Sequence, residues 1–350
     1  MVAQVIAVPG YKGHRLMYAR LIAEAVLEAG RDARILVPRG ALASAEFATH
    51  LAPNGHRLEV LEIDFGVDAV FEHVDSASEH PTVFAEGDSW LLPLLRRKLR
   101  WPGGTALVIM RPFGNGRTAA SRIIGTSAKA MLRAYARLFT AHRPMCLVSA
   151  AHRGEGKWEL RDPVEFVADP DARSRIRADW AASAPECGRW VGVLGTIGPR
   201  KNVRLIAGAI ARLPADVGLV VAGAGEVQEA EINEWLAELA AQGRVVRTAG
   251  QLSDIELDSM MLELDCVVIA HSNEGPSGIL ARAVVAGTPL VLSGALSLRD
   301  DAKQLGRIAE WVPLDEEQVS TAAMRALDRG RGLGGAADPS HFGRKLVGYP

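Results

Sequence analysis

The sequence predicts an α/β protein built from two successive parallel, doubly wound sheets, and three observations carry that prediction. Short apolar runs rich in Val and Ile alternate with stretches of helical period. The chain has 350 residues, too many for one ordinary core and suited to two. The alternation weakens over 154–188, where Asp162-Pro163 and Asp169-Pro170 are turn-prone dipeptides, so the connection between domains belongs there.

In the first half the apolar runs predict strands over 2–8, 34–37, 58–63, 82–85, 106–110 and 145–149. Leu16, Leu21, Ile22, Ala25 and Val26 mark a helix that Gly30 ends, and 119–138 is a long helical pattern. In the second half strands fall at 190–194, 217–222, 245–248, 266–270 and 289–292. Helices over 203–213, 227–241, 254–264 and 278–286 fill the gaps, the third opened by a capping box, Ser253 to Glu256. The expected division is 1–165, 166–335 and a C-terminal tail, 336–350, whose return to the first domain is left open.

Bulk composition excludes several classes. Hydrophobic residues make up 48% and charged residues 23%, ordinary for a globular chain, and 40 basic against 41 acidic residues give no field to attract nucleic acid. The three cysteines, Cys146, Cys187 and Cys266, lack metal-ligand spacing and read as buried thiols in a reducing compartment. Without a charged leader or a long apolar run, the expected location is cytoplasmic, and no metal is expected. The stretch from Leu91 to Trp101 mixes Arg96, Arg97, Lys98 and Arg100 with leucines. It reads either as a surface helix with an apolar underside or as a contact for an anionic membrane surface.

Open parallel sheets bind ligands at the carboxyl ends of their strands, so the loops there hold the candidate chemistry. Gly195 to Asn202 follows the first strand of the second half. Its glycines let backbone approach a ligand, and Lys201 offers a cation for phosphate; a solvated turn explains the same residues. His271 to Gly278 precedes a helix whose N-terminus suits a diphosphate at Ser277 and Gly278, and Glu274 can accept from sugar hydroxyls. A plain N-cap and a solvated acid are the alternative. Gly10 to Gly13 with His14 is a weaker glycine turn. No G-x-G-x-x-G follows the first strand of either half, which disfavours nicotinamide chemistry.

Together these loops resemble glycosyltransferase family 4 and its GT-B relatives, well over 189–292 and loosely over the first 40 residues. The family's G-R-x-x-x-x-K-G is matched by Gly195 and Lys201, with Thr196 in the place of the arginine. Leu219 to Gly225 resembles its V-I-A-G-x-G, and Gly250 to Leu257 its next segment, before which relatives hold the base. The Glu-x7-Glu motif, E-G-F-G-x-x-x-x-E, is read over Glu274-Gly275-Pro276-Ser277-Gly278: its first glutamate, its spacing and its Ala-x-x-Ala-Gly-x-Pro ending hold, with Arg282 in place of the second glutamate.

The resemblance implies a GT-B architecture of two Rossmann-like domains facing a cleft. It also implies retaining transfer of a sugar from a UDP- or GDP-sugar, with no further cofactor, to a polysaccharide, lipid or small-molecule acceptor. Glu274 is then the catalytic-site acid. Gly13, Thr196, Lys201, Gly275, Pro276, Ser277, Gly278 and Arg282 line the donor, and His14, Glu86, Asp88 and Arg111 are acceptor candidates. Three partners are open for Arg282: the diphosphate, an unusual donor group, or Glu274 itself. The last belongs to an alternative reading as a catalytically silent binding or scaffold protein.

Overall fold

The computed structural model describes residues 3–11, 15–54, 58–97, 102–112, 119–149, 155–274, 277–332 and 338–348. The chain separates into two compact units. One takes Met1–Val148, Gly154–Pro163 and Asp338–Pro350, the other Ser149–Arg153 and Val164–Ala337.

The first unit holds strands β1 (Gln4–Ala7), β2 (Ala33–Pro38), β3 (Glu59–Ile63), β4 (Thr82–Phe84), β5 (Thr105–Ile109), β6 (His142–Val148) and β7 (Glu159–Arg161). They form one sheet in the order β3-β2-β1-β4-β5-β6-β7, every neighbouring pair parallel. The helices are α1 (Arg15–Glu28), α2 (Ala45–His50), α3 (Val67–Phe71), α4 (Leu91–Arg96) and α5 (Ala119–Phe139). The second unit opens with α6 (Pro170–Ser183) and continues β8 (Arg189–Leu194), α7 (Val203–Ala211), β9 (Val217–Gly223), α8 (Glu229–Ala241), β10 (Val245–Ala249), α9 (Asp254–Glu263), β11 (Cys266–His271), α10 (Gly278–Ala286), β12 (Leu290–Gly294), α11 (Leu296–Leu305), β13 (Ala309–Val312) and α12 (Glu316–Arg329). Its sheet runs β10-β9-β8-β11-β12-β13, again all parallel. A last helix, α13 (Pro339–Val347), belongs to the first unit.

The central strands of both sheets are buried on two faces, as strands of parallel sheets covered by crossover helices are. β9 shows the consequence: all seven of its residues are buried, so it reads as an unbroken apolar run. The capping box forms as its spacing predicts, with Glu256 N donating to Ser253 Oγ at 3.2 Å and Ser253 N donating to Glu256 at 2.8 Å. Asp169-Pro170, read as a turn, is the start of α6: Asp169 caps it, and proline suits a first helical turn because its missing N–H has no partner there anyway. The sequence reading also passed over β7 and β13, which are three and four residues long, and began β6 three residues late. Glu159-Leu160-Arg161 and the Arg143-Pro144 start of β6 lack the apolar run that marks a strand.

α13 packs on α1. Phe342, Leu346 and Val347 enter the core with Leu21, Ile22 and Ala25, and a Cβ on Gly343 would lie 2.2 Å from the Leu21 carbonyl oxygen. Only glycine permits that approach.

The described part of 91–101 is the six-residue α4, which buries Leu91 and Leu94. Its neighbour Arg97 is ion-paired with Asp68, and 98–101 lie outside the described residues. The larger exposed apolar face belongs to α5, where Ile123, Ile124, Met131, Leu138 and Phe139 are each more than 65% exposed. No described helix is long and apolar enough to cross a membrane. Cys187 and Cys266 are buried as expected, whereas Cys146 is only partly so.

Candidate functional site at the switch point of the second sheet

In the second sheet β8 lies between β9 and β11, and the connections on its two sides run in opposite directions. In open parallel sheets the carboxyl ends of the strands at such a switch point are where ligands bind. Both principal loops of the sequence analysis start here.

β8 ends at Leu194, and Gly195 turns the chain at φ +82, while Gly223 turns the end of β9 at φ +131. A Cβ on Gly223 would stand 2.3 Å from the Gly195 carbonyl oxygen, so the two turns pass in backbone contact. Ile197 N then donates to Ala224 O and Glu226 N to Ile197 O, each at 2.7 Å. A short 3-10 turn, Pro199–Lys201, follows. Asn202 ends it in the left-handed conformation, the only described non-glycine residue with positive φ. Its Nδ2 donates to Ala270 O at 2.8 Å and Ser272 Oγ at 2.9 Å, and Ser272 N donates to Arg200 O at 2.9 Å. These bonds pin the loop after β8 to the end of β11.

Lys201 points inward and is 5% exposed, its ammonium donating to the Leu194 carbonyl oxygen. Burial first, and then the positive charge of Arg200, brings its pKa down to about 7 against a weaker opposing pull from Glu226. His271, 8% exposed at the end of β11, is held at about 4 by burial and then by Lys201 and Arg200. Burial thus favours the neutral imidazole at His271 and draws the pKa of Lys201 toward neutrality. Both line a cavity of about 10 Å³ with Leu194, Ala270 and Ile279. That is room for one water at most, so a larger ligand has to lie outside it, over the strand ends.

On the β11 side Ser277 caps α10, its Oγ accepting from Leu280 N at 3.4 Å, and the amides before Leu280 have no partner within the helix. Gly275 and Pro276 lie outside the described residues. The exposed Glu274 carboxylate accepts from Leu296 N at 3.0 Å and Ser297 N at 2.8 Å, at the N-terminus of α11. Thr196 is exposed on the opposite loop.

Arg282 is paired not with Glu274 but with two aspartates of α9. It is 8% exposed, donating to Asp258 at 2.5 Å and Asp254 at 2.6 Å. One helical turn separates the two aspartates on α9, so one guanidinium spans both. Asp258 is fully buried, and its pKa is raised by burial against the opposing pull of Arg282.

In the first unit Glu86 and Asp88 follow β4 and Arg111 follows β5, the adjacent strand. Glu86 is ion-paired with Arg15 at 2.5 Å. Asp88 accepts from Met110 N at 2.9 Å and Arg111 N at 3.0 Å, an arrangement that ties the two loops together. Gly13 and His14 lie outside the described residues. Among the described residues no group of His, Cys, Asp and Glu is arranged to hold a metal ion.

Residues 188–328 match the family model of glycosyl transferases group 1. The 2-deoxystreptamine glucosyltransferase of Streptomyces kanamyceticus is 28% identical over 207 residues, 56% of this chain, and the chain spans about half (52%) of that relative's length. Among solved structures, Anabaena HepE in complex with UDP aligns at a TM-score of 0.61 and 13% identity, over 99% of this chain and 96% of that one. Sucrose-phosphate synthase from Thermosynechococcus elongatus aligns at 0.61 and 16% identity, over 98% and 95%. The fold is therefore that of the GT-B glycosyltransferases. The match to the glycosyl transferases group 1 model falls within the second unit.

Sequence reasoning passed over Asn202, Arg200 and His271 as site residues. Asn202 had a readable signal, since asparagine before a helix is one of the few side chains that tolerates the left-handed region. His271 ends its strand like any other residue, and only the fold brings it to Lys201.

Proposed function

We propose that the protein transfers a sugar from a nucleoside-diphosphate sugar, with the diphosphate held over the carboxyl ends of β8 and β11. The observation that carries this reading is the buried Lys201 ammonium, set at the switch point across from the N-terminus of α10. A dianionic leaving group needs cations and unpaired amides, and these strand ends offer both. Lys201 and the first-turn amides of α10 bind the departing diphosphate. Glu274, on the neighbouring loop, accepts from sugar hydroxyls while its backbone partners on α11 fix its direction. No protein nucleophile is required if the acceptor attacks from the face the nucleotide leaves, so the reading is retaining transfer by positioning and charge stabilisation.

The base belongs near the turn after β10, before the capped start of α9. Uridine is the first base to test because HepE was solved with UDP. An acceptor site on the loops after β4 and β5 places Glu86, Asp88 and Arg111 as its polar groups. The acceptor class to test first is a hydroxyl-bearing small molecule, following the 2-deoxystreptamine glucosyltransferase.

The reading is tested by thermal shift against UDP, GDP, ADP and TDP and their sugars, followed by product analysis with the stabilising donor. Stabilisation by one nucleotide family, with a sugar released or transferred, is the expected result. Lys201→Ala should lower turnover roughly tenfold to a hundredfold, the worth of one charge-assisted contact. Unchanged turnover in that variant removes Lys201 from the donor site. Nucleotide binding with no turnover on any acceptor favours the scaffold reading.

A further inference from the structure

We propose that the Arg200 guanidinium supplies the second diphosphate cation, in place of the one that Thr196 lacks. The inference rests on the donor-site reading above and adds a residue to it.

Position 196 carries a side chain that cannot be positive, and Arg282 is engaged by Asp254 and Asp258. Arg200 stands next to Lys201 in the 3-10 turn. Its backbone is fixed, because the Arg200 carbonyl accepts from Ser272 N at 2.9 Å and Asn202 Nδ2 at 3.3 Å. Its side chain is half-buried, close enough to Lys201 and His271 for its charge to lower the proton affinity of both. Among the described residues no carboxylate or carbonyl accepts from the Arg200 guanidinium; the other second-unit arginines without such an acceptor, Arg175, Arg204, Arg299 and Arg307, are exposed, whereas Arg200 is half-buried. A guanidinium held beside a buried lysine with no acceptor gains most from an anion that touches both. Its planar fork fits two non-bridging oxygens of a diphosphate, and the ammonium meets them as a point charge.

The order of residues gives the inference its structural sense. The loop turns at Gly195 and is pinned again at Asn202, so positions 196 and 200 lie on one short excursion between two fixed points. A cation can move along it without changing the strand ends that hold the phosphates.

The test is calorimetric titration of UDP and GDP into the full chain and into Arg200→Gln, Arg200→Lys and Arg200→Gln with Thr196→Arg. Arg200→Gln should bind the preferred diphosphate about tenfold or more weaker, at a melting temperature no lower than the wild type's. Arg200→Lys should recover part of that loss, and Thr196→Arg in the Gln background should recover more, since it restores a fork. Wild-type affinity in Arg200→Gln overturns the assignment while leaving the donor site standing. Absence of binding of either nucleotide to the wild type overturns both.

Discussion

At the scale of single residues, the site is organised by a lysine that the fold pays to bury. Lys201 has an ordinary pKa of 10.5 and sits at about 7 in the folded chain. The unfolded chain therefore binds more protons than the folded one between about 7 and 10.5, so stability rises with pH across that window. Below about 7 the buried charge costs its full amount, a few kcal/mol on the scale of about 1.4 kcal/mol per pH unit. Lys201→Met should accordingly raise the melting temperature at pH 7, with the gain shrinking toward pH 10, while diphosphate binding falls. Thermal melts of the two proteins at pH 6, 7 and 9 check this. A lower melting temperature for the Met variant at every pH would mean that the Leu194 contact outweighs the burial of charge. Binding has the opposite slope. A diphosphate prefers the protonated ammonium, so UDP affinity should drop as pH rises from 6.5 to 8.5.

At the scale of elements, α9 and α10 are joined by Arg282, and this accounts for the departure from the family motif. A glutamate at position 282 would face Asp254 and the fully buried Asp258, placing three carboxylates together. Breaking a buried pair and leaving an uncompensated charge costs about 3–5 kcal/mol. Arg282→Glu, the substitution that restores the family sequence, should thus destabilise the protein by that amount without improving donor binding. Urea denaturation with a parallel UDP titration measures both quantities.

The same elements show what the sequence can and cannot disclose. β8, β9 and β11 were legible because buried parallel strands are nearly continuous apolar runs, and α9 because its capping box is local. Lys201 and Ser277 were legible as loop residues because the strands before them were. The partner of Arg282 was not legible: Asp254 and Asp258 lie at least 24 positions away, and only the packing of α9 on α10 selects them over Glu274. The convergence of His271, Asn202 and Arg200 is equally a property of the switch point, since no local pattern brings the ends of β8 and β11 together.

At the scale of the whole molecule, the chain ends where it began: α13 completes the core of the first unit after the second has been built. Removing 338–350 takes Phe342, Leu346 and Val347 out of that core. Large buried side chains lost outright cost about 2–5 kcal/mol each. The truncated chain should therefore lose the cooperative unfolding of its first unit while the second still melts, a difference that calorimetric scanning resolves into one transition fewer. Transitions equal to those of the wild type in number and temperature would show that α13 is dispensable.

The central claim is that a nucleoside diphosphate sits over the ends of β8 and β11 and is met there by Lys201. A crystal structure of the protein with UDP tests it most directly. Diphosphate density is expected between the Gly195–Asn202 loop and the N-terminus of α10, with the Lys201 ammonium turned from Leu194 O to a phosphate oxygen. UDP bound elsewhere, or bound here with Lys201 still on Leu194 O, would contradict it.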